Sequence, residues 1–288
     1  MTASAANDIA GTLFETGYCI IPNLVPGTLI EALAADLQPI FAATPFGAGD
    51  FYGYRTKRFG SLLKRSQHAE ALVLQPLVLA AAEAILGEAC DRIQLNVAQA
   101  IEIYPGELRQ FPHRDDDMWA GGKHSHEYLV NVIWPIDAFT EANGATHIYP
   151  NSHGAAGRPE ELPSPPVIAE CPPGSAICFL GSTLHGAGAN RTVATRRAVI
   201  FGYSLGWLKP YENLWLAYPP EVARGFSPEL AALAGYAQHR PNLGNYEGRC
   251  PSVLLSGMTP QNLGAVDALR PDQETALAAF ARAERGAP

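Results

Sequence analysis

The sequence predicts an all-β core, a barrel or jelly roll, flanked by helices. Between about residues 91 and 206, short runs rich in Val, Ile and aromatic residues follow one another: DRIQLNVAQAIEIYPGE, EYLVNVIWPIDA, PPVIAECPPGSAICFLGSTLHG and RRAVIFGYSL. Turn signals separate them at Pro105-Gly106, Asn143-Gly144 and Pro173-Gly174, the pattern of several short strands in series. On both sides the apolar residues shift to helical spacing.

Taken in order, residues 6–17 read as a short helix and GYCIIPNL as a strand ending at Pro22. Residues 27–42 carry apolar positions at helical spacing. Residues 45–60 are rich in Gly and aromatics, contain the basic group Arg55, Lys57 and Arg58, and read as a loop. An Ala/Leu-rich helix is predicted from His68 to about Leu86. After Trp207 the chain returns to helix and loop, with ELAALAGYA and QETALAAFARAER as the clearest helices. No repeat or low-complexity linker interrupts the 288 residues. A single domain is expected, with a β core at about 91–206 and helical flanks at 1–90 and 207–288.

Composition narrows the function. Hydrophobic residues at 47% and charged residues at 17% describe a globular chain. A net charge of -8 without a long Lys/Arg run excludes nucleic acid as an expected partner. No apolar stretch is long enough to span a membrane, and the N-terminus lacks a basic segment followed by an apolar one. Five scattered cysteines without a CxxC pair suggest reduced thiols in a cytoplasmic protein. A small-molecule substrate and a monomer or homodimer are expected.

Two segments carry candidate metal ligands. In RQFPHRDDDMW, His113 and Asp115 lie two apart after a strand, and on an extended backbone that spacing puts both side chains on one face. In FLGSTLHGAGANRT, His185 follows an apolar strand. Two imidazoles and one carboxylate leave open positions on a metal and suit non-haem Fe(II), whereas a structural zinc would take four protein ligands. Taken singly, each residue also reads as a surface or core side chain without a ligand role. Arg196, at the start of a strand, can fork onto a carboxylate; the adjacent Arg197 points to the opposite face, so only one of the two can do so. His124 and His126, with His147 or His153, form a rival metal motif of hydrolase type, without a downstream Arg to accompany it.

These residues resemble the phytanoyl-CoA dioxygenase (PhyH) family of Fe(II)/2-oxoglutarate oxygenases. QFPHRDDDMW resembles the family's HxD block, EANGATHIYPNSH its NGxT…PGSH stretch, and LHGAGANRTVATRRAVIF its distal-His block; FETGYCIIPNLV is similar to its N-terminal part. The resemblance covers most of the chain. It implies a double-stranded β-helix, a cupin-like jelly roll, with His113, Asp115 and His185 on iron. It also implies Arg196 on 2-oxoglutarate and Gln110 and Thr146 beside that co-substrate, with O2 as the second one. Asn151 stands where the family motif has glycine, a place Asn tolerates. GSLLKRSQHAEALVLQPLVL and SPELAALAGYAQHRPNLGNYEG are closer to the branch acting on specialised metabolites than to the acyl-CoA branch. The expected reaction is hydroxylation or desaturation of a small, largely apolar metabolite. Asp115 argues against halogenation, because related halogenases lack that carboxylate. An acyl-CoA 2-hydroxylase and a non-catalytic or cupin-like metal protein are the alternatives. Phe51, Tyr54, Tyr104, Met118, Trp119, Trp134 and Trp207 are candidates for the substrate pocket, with core packing the other use of each.

Overall fold

The computed structural model describes residues 2–121, 126–154, 165–257 and 262–286. Among these, nine strands form two antiparallel sheets. They are β1 (Tyr18–Ile21), β2 (Thr56–Phe59), β3 (Ile93–Ile103), β4 (Leu129–Pro135), β5 (Thr146–Ile148), β6 (Val167–Ile168), β7 (Ala176–Leu180), β8 (His185–Ala187) and β9 (Arg196–Leu205). The major sheet runs β1-β7-β4-β9-β3-β2 and the minor one β6-β5-β8.

Strand alternation sorts the major sheet into two faces. Val130, Val132 and Trp134 of β4, with Val199, Phe201 and Tyr203 of β9, join the main core against the helices. Leu129, Asn131 and Ile133, with Arg196, Ala198 and Ile200, line a cavity on the other face, to which Thr146 of β5 and His185 and Ala187 of β8 also contribute. The cavity therefore lies between the two sheets.

The helical layer follows from its apolar spacing. Helix α1 (Thr2–Thr16) buries Ala6, Ile9, Ala10 and Leu13, and α2 (Gly27–Ala43) buries Ile30, Leu33, Leu37 and Phe41, each a single stripe at turn intervals. The helix expected from His68 to Leu86 is broken in two, α3 (Ala69–Val73) and α4 (Pro76–Leu86). Pro76 has no N–H to continue a ladder, and the Gln75 side chain instead accepts from Leu77 N and Val78 N at 2.8 and 2.9 Å, starting a new helix. Toward the other end, ELAALAGYA forms a helix only over Pro228–Leu233. The C-terminal helix Pro271–Gly286 buries no side chain.

Two strands depart from the sequence expectation. The segment 45–60 is not all loop: Thr56–Phe59 pairs with β3, so that Lys57 lies opposite Glu102 and Arg58 opposite Ile101. With β1, it draws residues before 91 into the major sheet. The three-residue β5 was hidden within EANGATHIYP, too short to show alternation.

Candidate metal centre

The centre begins with a backbone pairing. His113 N donates to His185 O at 2.9 Å and His185 N to His113 O at 3.0 Å, so the two residues face each other as a hydrogen-bonded antiparallel pair. Their ring centroids lie 4.5 Å apart. Arg114 is extended, with φ -116 and ψ 131, and Asp115 then opens a short 3-10 turn, Asp115–Met118. The extended residue between them sets the His113 and Asp115 side chains on one face, and the turn begins only at Asp115.

One ligand atom from each of His113, Asp115 and His185 lies within 4.8 Å of the others, the group of this kind found among the described residues. His113 Nε2 is 3.4 Å from Asp115 Oδ1 and His185 Nε2 is 3.6 Å from Asp115 Oδ2. Each imidazole is oriented by its other nitrogen: His113 Nδ1 lies 3.0 Å from Phe111 O, and His185 Nδ1 lies 3.0 Å from Thr183 O. A carbonyl only accepts, so Nδ1 carries the proton and Nε2 turns its lone pair to the site. Burial pushes His185 down to about 4, with Asp115 opposing, so this ring is neutral at pH 7. Burial works to raise the Asp115 carboxyl, but His185, His113 and Asn131 outweigh it and hold it below the ordinary carboxylate range. A carboxylate and oriented imidazole nitrogens form the donor set that Fe(II) takes.

Arg196 lines the same cavity as this group. It is buried, its Nη2 donates to Gly144 O at 2.8 Å, and its guanidinium lies 4.2 Å from the centroid of the Phe139 ring. Its Nε has no partner. Burial lowers this guanidinium to about 9, still protonated at neutral pH, with Arg58 adding repulsion. A buried cation with a free donor is costly unless an anion completes it. Arg197 points the other way and forks onto Asp137 at 2.9 and 3.0 Å. Gln110 lines the cavity, its Oε1 accepting from Ala187 N and its Nε2 donating to Phe51 O, both at 3.2 Å. Thr146 also lines it. Asn151 has φ 58, the left-handed conformation that makes glycine or Asn suitable there.

Of the expected pocket residues, Phe51 and Met118 lie on the cavity wall. The others are placed elsewhere. Tyr54 is exposed, Tyr104 packs edge-on against Phe46, and Trp134 is wholly buried in the core behind β4. Trp119 donates to Lys209 O and Trp207 to Ala89 O, both rings resting on Tyr128. The basic group separates by strand alternation. Arg55 donates to Pro105 O, and Lys57 turns to Phe41 O, at 2.6 and 2.8 Å. Only Arg58 of the three reaches the cavity, where its Nε lacks a partner and Gln99 Oε1 accepts from Nη1 at 3.4 Å. In the rival histidine motif, His124 lies outside the described residues, His126 is exposed, and His153 Nε2 is 2.8 Å from Phe14 O.

Sequence reasoning missed Asn96, Asn131, Tyr52 and Tyr211, all on the cavity wall. Asn131 is legible once Arg196 fixes which face of the sheet is inward. Asn96 is not, because a bulge between Leu95 and Val97 resets the alternation of β3. Asn96 Oδ1 accepts from Tyr211 N at 2.8 Å, and the Tyr211 and Tyr52 hydroxyls meet at 2.8 Å, joining two loops at the cavity mouth.

Residues 14–198 match the model of the phytanoyl-CoA dioxygenase (PhyH) family. The chain belongs to this family. Its relatives include the dioxygenase olcK of Penicillium canescens, 30% identical over 252 residues and covering 83% of each chain. The dioxygenase cdmD of Talaromyces verruculosus is 31% identical over 263 residues, covering 81% of this chain and 85% of its own. Among solved structures, the non-haem α-ketoglutarate-dependent epimerase SnoN from nogalamycin biosynthesis superposes with a TM-score of 0.61 at 19% identity, over 74% of this chain and 88% of its own. HygX from Streptomyces hygroscopicus, solved with nickel and 2-oxoglutarate bound, gives 0.55 at 13% identity, over 71% and 89%. At these identities the likeness to both is one of fold, and it agrees with the expected jelly roll.

Proposed function

We propose that this PhyH-family enzyme oxidises an unactivated C–H bond of a small, largely apolar metabolite, by hydroxylation or desaturation, at an iron held by His113, Asp115 and His185. It is an Fe(II)/2-oxoglutarate-dependent dioxygenase. The observation that carries the residue assignment is the convergence of those three side chains on a cavity that the buried cation Arg196 also lines.

When bound, the iron couples O2 activation to the decarboxylation of 2-oxoglutarate to succinate and CO2, which supplies the oxidant for the C–H bond. The chain's own residues hold and orient. In this reading Arg196 takes the far carboxylate of 2-oxoglutarate with charge-assisted hydrogen bonds, and Gln110 and Thr146 flank it. Ile101, Ile133, Ala198 and Ile200 present an apolar wall, which excludes water and favours an apolar substrate. Arg58 offers a second cation to an oxygen of the co-substrate or substrate. Five free cysteines suit a reducing compartment, and a cytoplasmic monomer or homodimer with one oxygenase domain completes the proposal. No described helix is long and apolar enough to cross a membrane.

The test is anaerobic titration of 2-oxoglutarate into the Fe(II)-loaded protein, followed by admission of air. A weak visible charge-transfer band and then succinate are expected, and both are expected to disappear in Asp115→Ala. Full activity in that variant would remove the ligand assignment.

A further inference from the structure

The carboxylate of Asp115 has a third neighbour. Asn131 Nδ2 donates to Asp115 Oδ2 at 2.7 Å, shorter than either histidine contact. The amide orientation is fixed by chemistry, because an ionised carboxylate only accepts and the NH2 end must face it. Asn131 is buried in the middle of β4, a position where a polar side chain is costly unless it is bonded.

A second observation concerns the neighbouring strand. The register of the major sheet sets Asn131 opposite Gly202 of β9. Glycine in the middle of a central strand weakens it and often marks a close approach by another group. Here a Cβ on residue 202 would stand 2.9 Å from Asn131 Oδ1, and 3.2 Å from both Leu129 Cδ1 and Val97 Cγ1. The missing side chain leaves the room in which the Asn131 amide lies.

We infer that Asn131 is a positioning residue for the metal centre: it fixes the rotation of the Asp115 carboxylate by loading Oδ2, biasing the metal toward Oδ1, and Gly202 keeps the amide in that place. The arrangement rests on the reading of Asp115 as a ligand. A carboxylate at the start of a short 3-10 turn has few local restraints of its own. The hydrogen bond ties it to a strand buried along its whole length, so the donor set is organised before metal enters. Ligands oriented by outer partners of this kind typically lose about 10–100-fold in metal affinity when the partner is removed.

The experiment uses the full chain, stripped of metal, with Co(II) alone as the probe, and reads dissociation constant and visible d–d spectrum. Asn131→Leu keeps the volume and removes the donor. Gly202→Ala leaves Asn131 in the sequence and displaces its amide. Co(II) binding about 10–100-fold weaker in Asn131→Leu, and an altered Co(II) spectrum in both variants, are expected, with the melting temperature of the metal-free proteins close to that of the parent. Unchanged affinity and spectrum in both variants would overturn the inference. So would a fall in metal-free stability with the Co(II) spectrum preserved, since that is packing alone. Should Asn131→Leu not fold, Gly202→Ala decides by its spectrum. Asp115→Ala, run beside them, separates the two levels: if it binds Co(II) like the parent, the ligand reading fails. If it loses Co(II) while Asn131→Leu does not, only the role of Asn131 fails.

Discussion

The chemistry of the site rests on a few buried groups held in unusual states. Arg196 is the clearest, a buried guanidinium with a free Nε. Arg196→Met is expected to raise the dissociation constant for 2-oxoglutarate by about 10–100-fold, since a hydrogen bond to a charged group is worth about 1.5–3 kcal/mol. Metal affinity should be nearly unchanged, and the metal-free protein should be no less stable, because an unpaired buried charge has been removed. Titration of 2-oxoglutarate followed by the charge-transfer band measures the first, and thermal melting the last. His185 sets a pH dependence. Its folded value of about 4 lies below that of an ordinary histidine, so the unfolded chain binds its proton first as pH falls. Stability of the metal-free protein is therefore fully present above about pH 6.5 and declines toward pH 4, by a loss on the order of 3 kcal/mol. Asp115, whose value is also lowered, extends the decline to lower pH. Urea unfolding across this range should show the slope, and His185→Gln should flatten its upper part.

At the scale of elements, turns and short strands deliver these groups. Gly144 has φ 87, and a Cβ there would stand 2.6 Å from Gly188 O. Its carbonyl also accepts from Arg196. Gly144→Ala is expected to cost about 1–3 kcal/mol of stability and, by moving that carbonyl, to weaken 2-oxoglutarate binding. Unfolding curves and the same titration read both effects. The long elements were legible in the sequence: α1, α2, β3, β4, β7 and β9 show their periodicity over enough residues to be read. β2 was not, because Thr-Lys-Arg-Phe looks like a solvated loop. Its Lys57 is nonetheless buried, with Phe41 O accepting from the ammonium at 2.8 Å and the Phe46 and Tyr104 rings about it. The break at Pro76 was visible as a proline but read through, because the Ala/Leu pattern continues on either side.

For the molecule as a whole, the site is a product of closure. His113 and Asp115 come from the segment between β3 and β4, His185 from the minor sheet, and Arg196 from the major sheet. A metal that binds only when these meet stabilises the folded chain by mass action. Mn(II) or Co(II) at about 100 times its dissociation constant should add about 2.7 kcal/mol, a shift of several degrees in melting temperature. EDTA should reverse the shift, and His185→Ala should abolish it. Calorimetry with and without metal checks both. A concentration-independent melting temperature would mean that these segments do not share an ion.

What the sequence determined by itself was the kind of chemistry and most of the scaffold. The spacing of His113 and Asp115, His185 ahead of a Gly-rich turn, and Arg196 followed by Arg197 on a strand are local patterns, and local patterns survive in one dimension. Tertiary structure decided which side chains share the cavity. Trp134 and Asn131 sit on one strand, three residues apart, and the sheet turns one into the core and the other to Asp115. Lys57 and Arg58 are neighbours with opposite fates for the same reason. Alternation says that two residues part company, but only the pairing of distant strands, and bulges such as the one at Asn96, says which of them faces the metal centre.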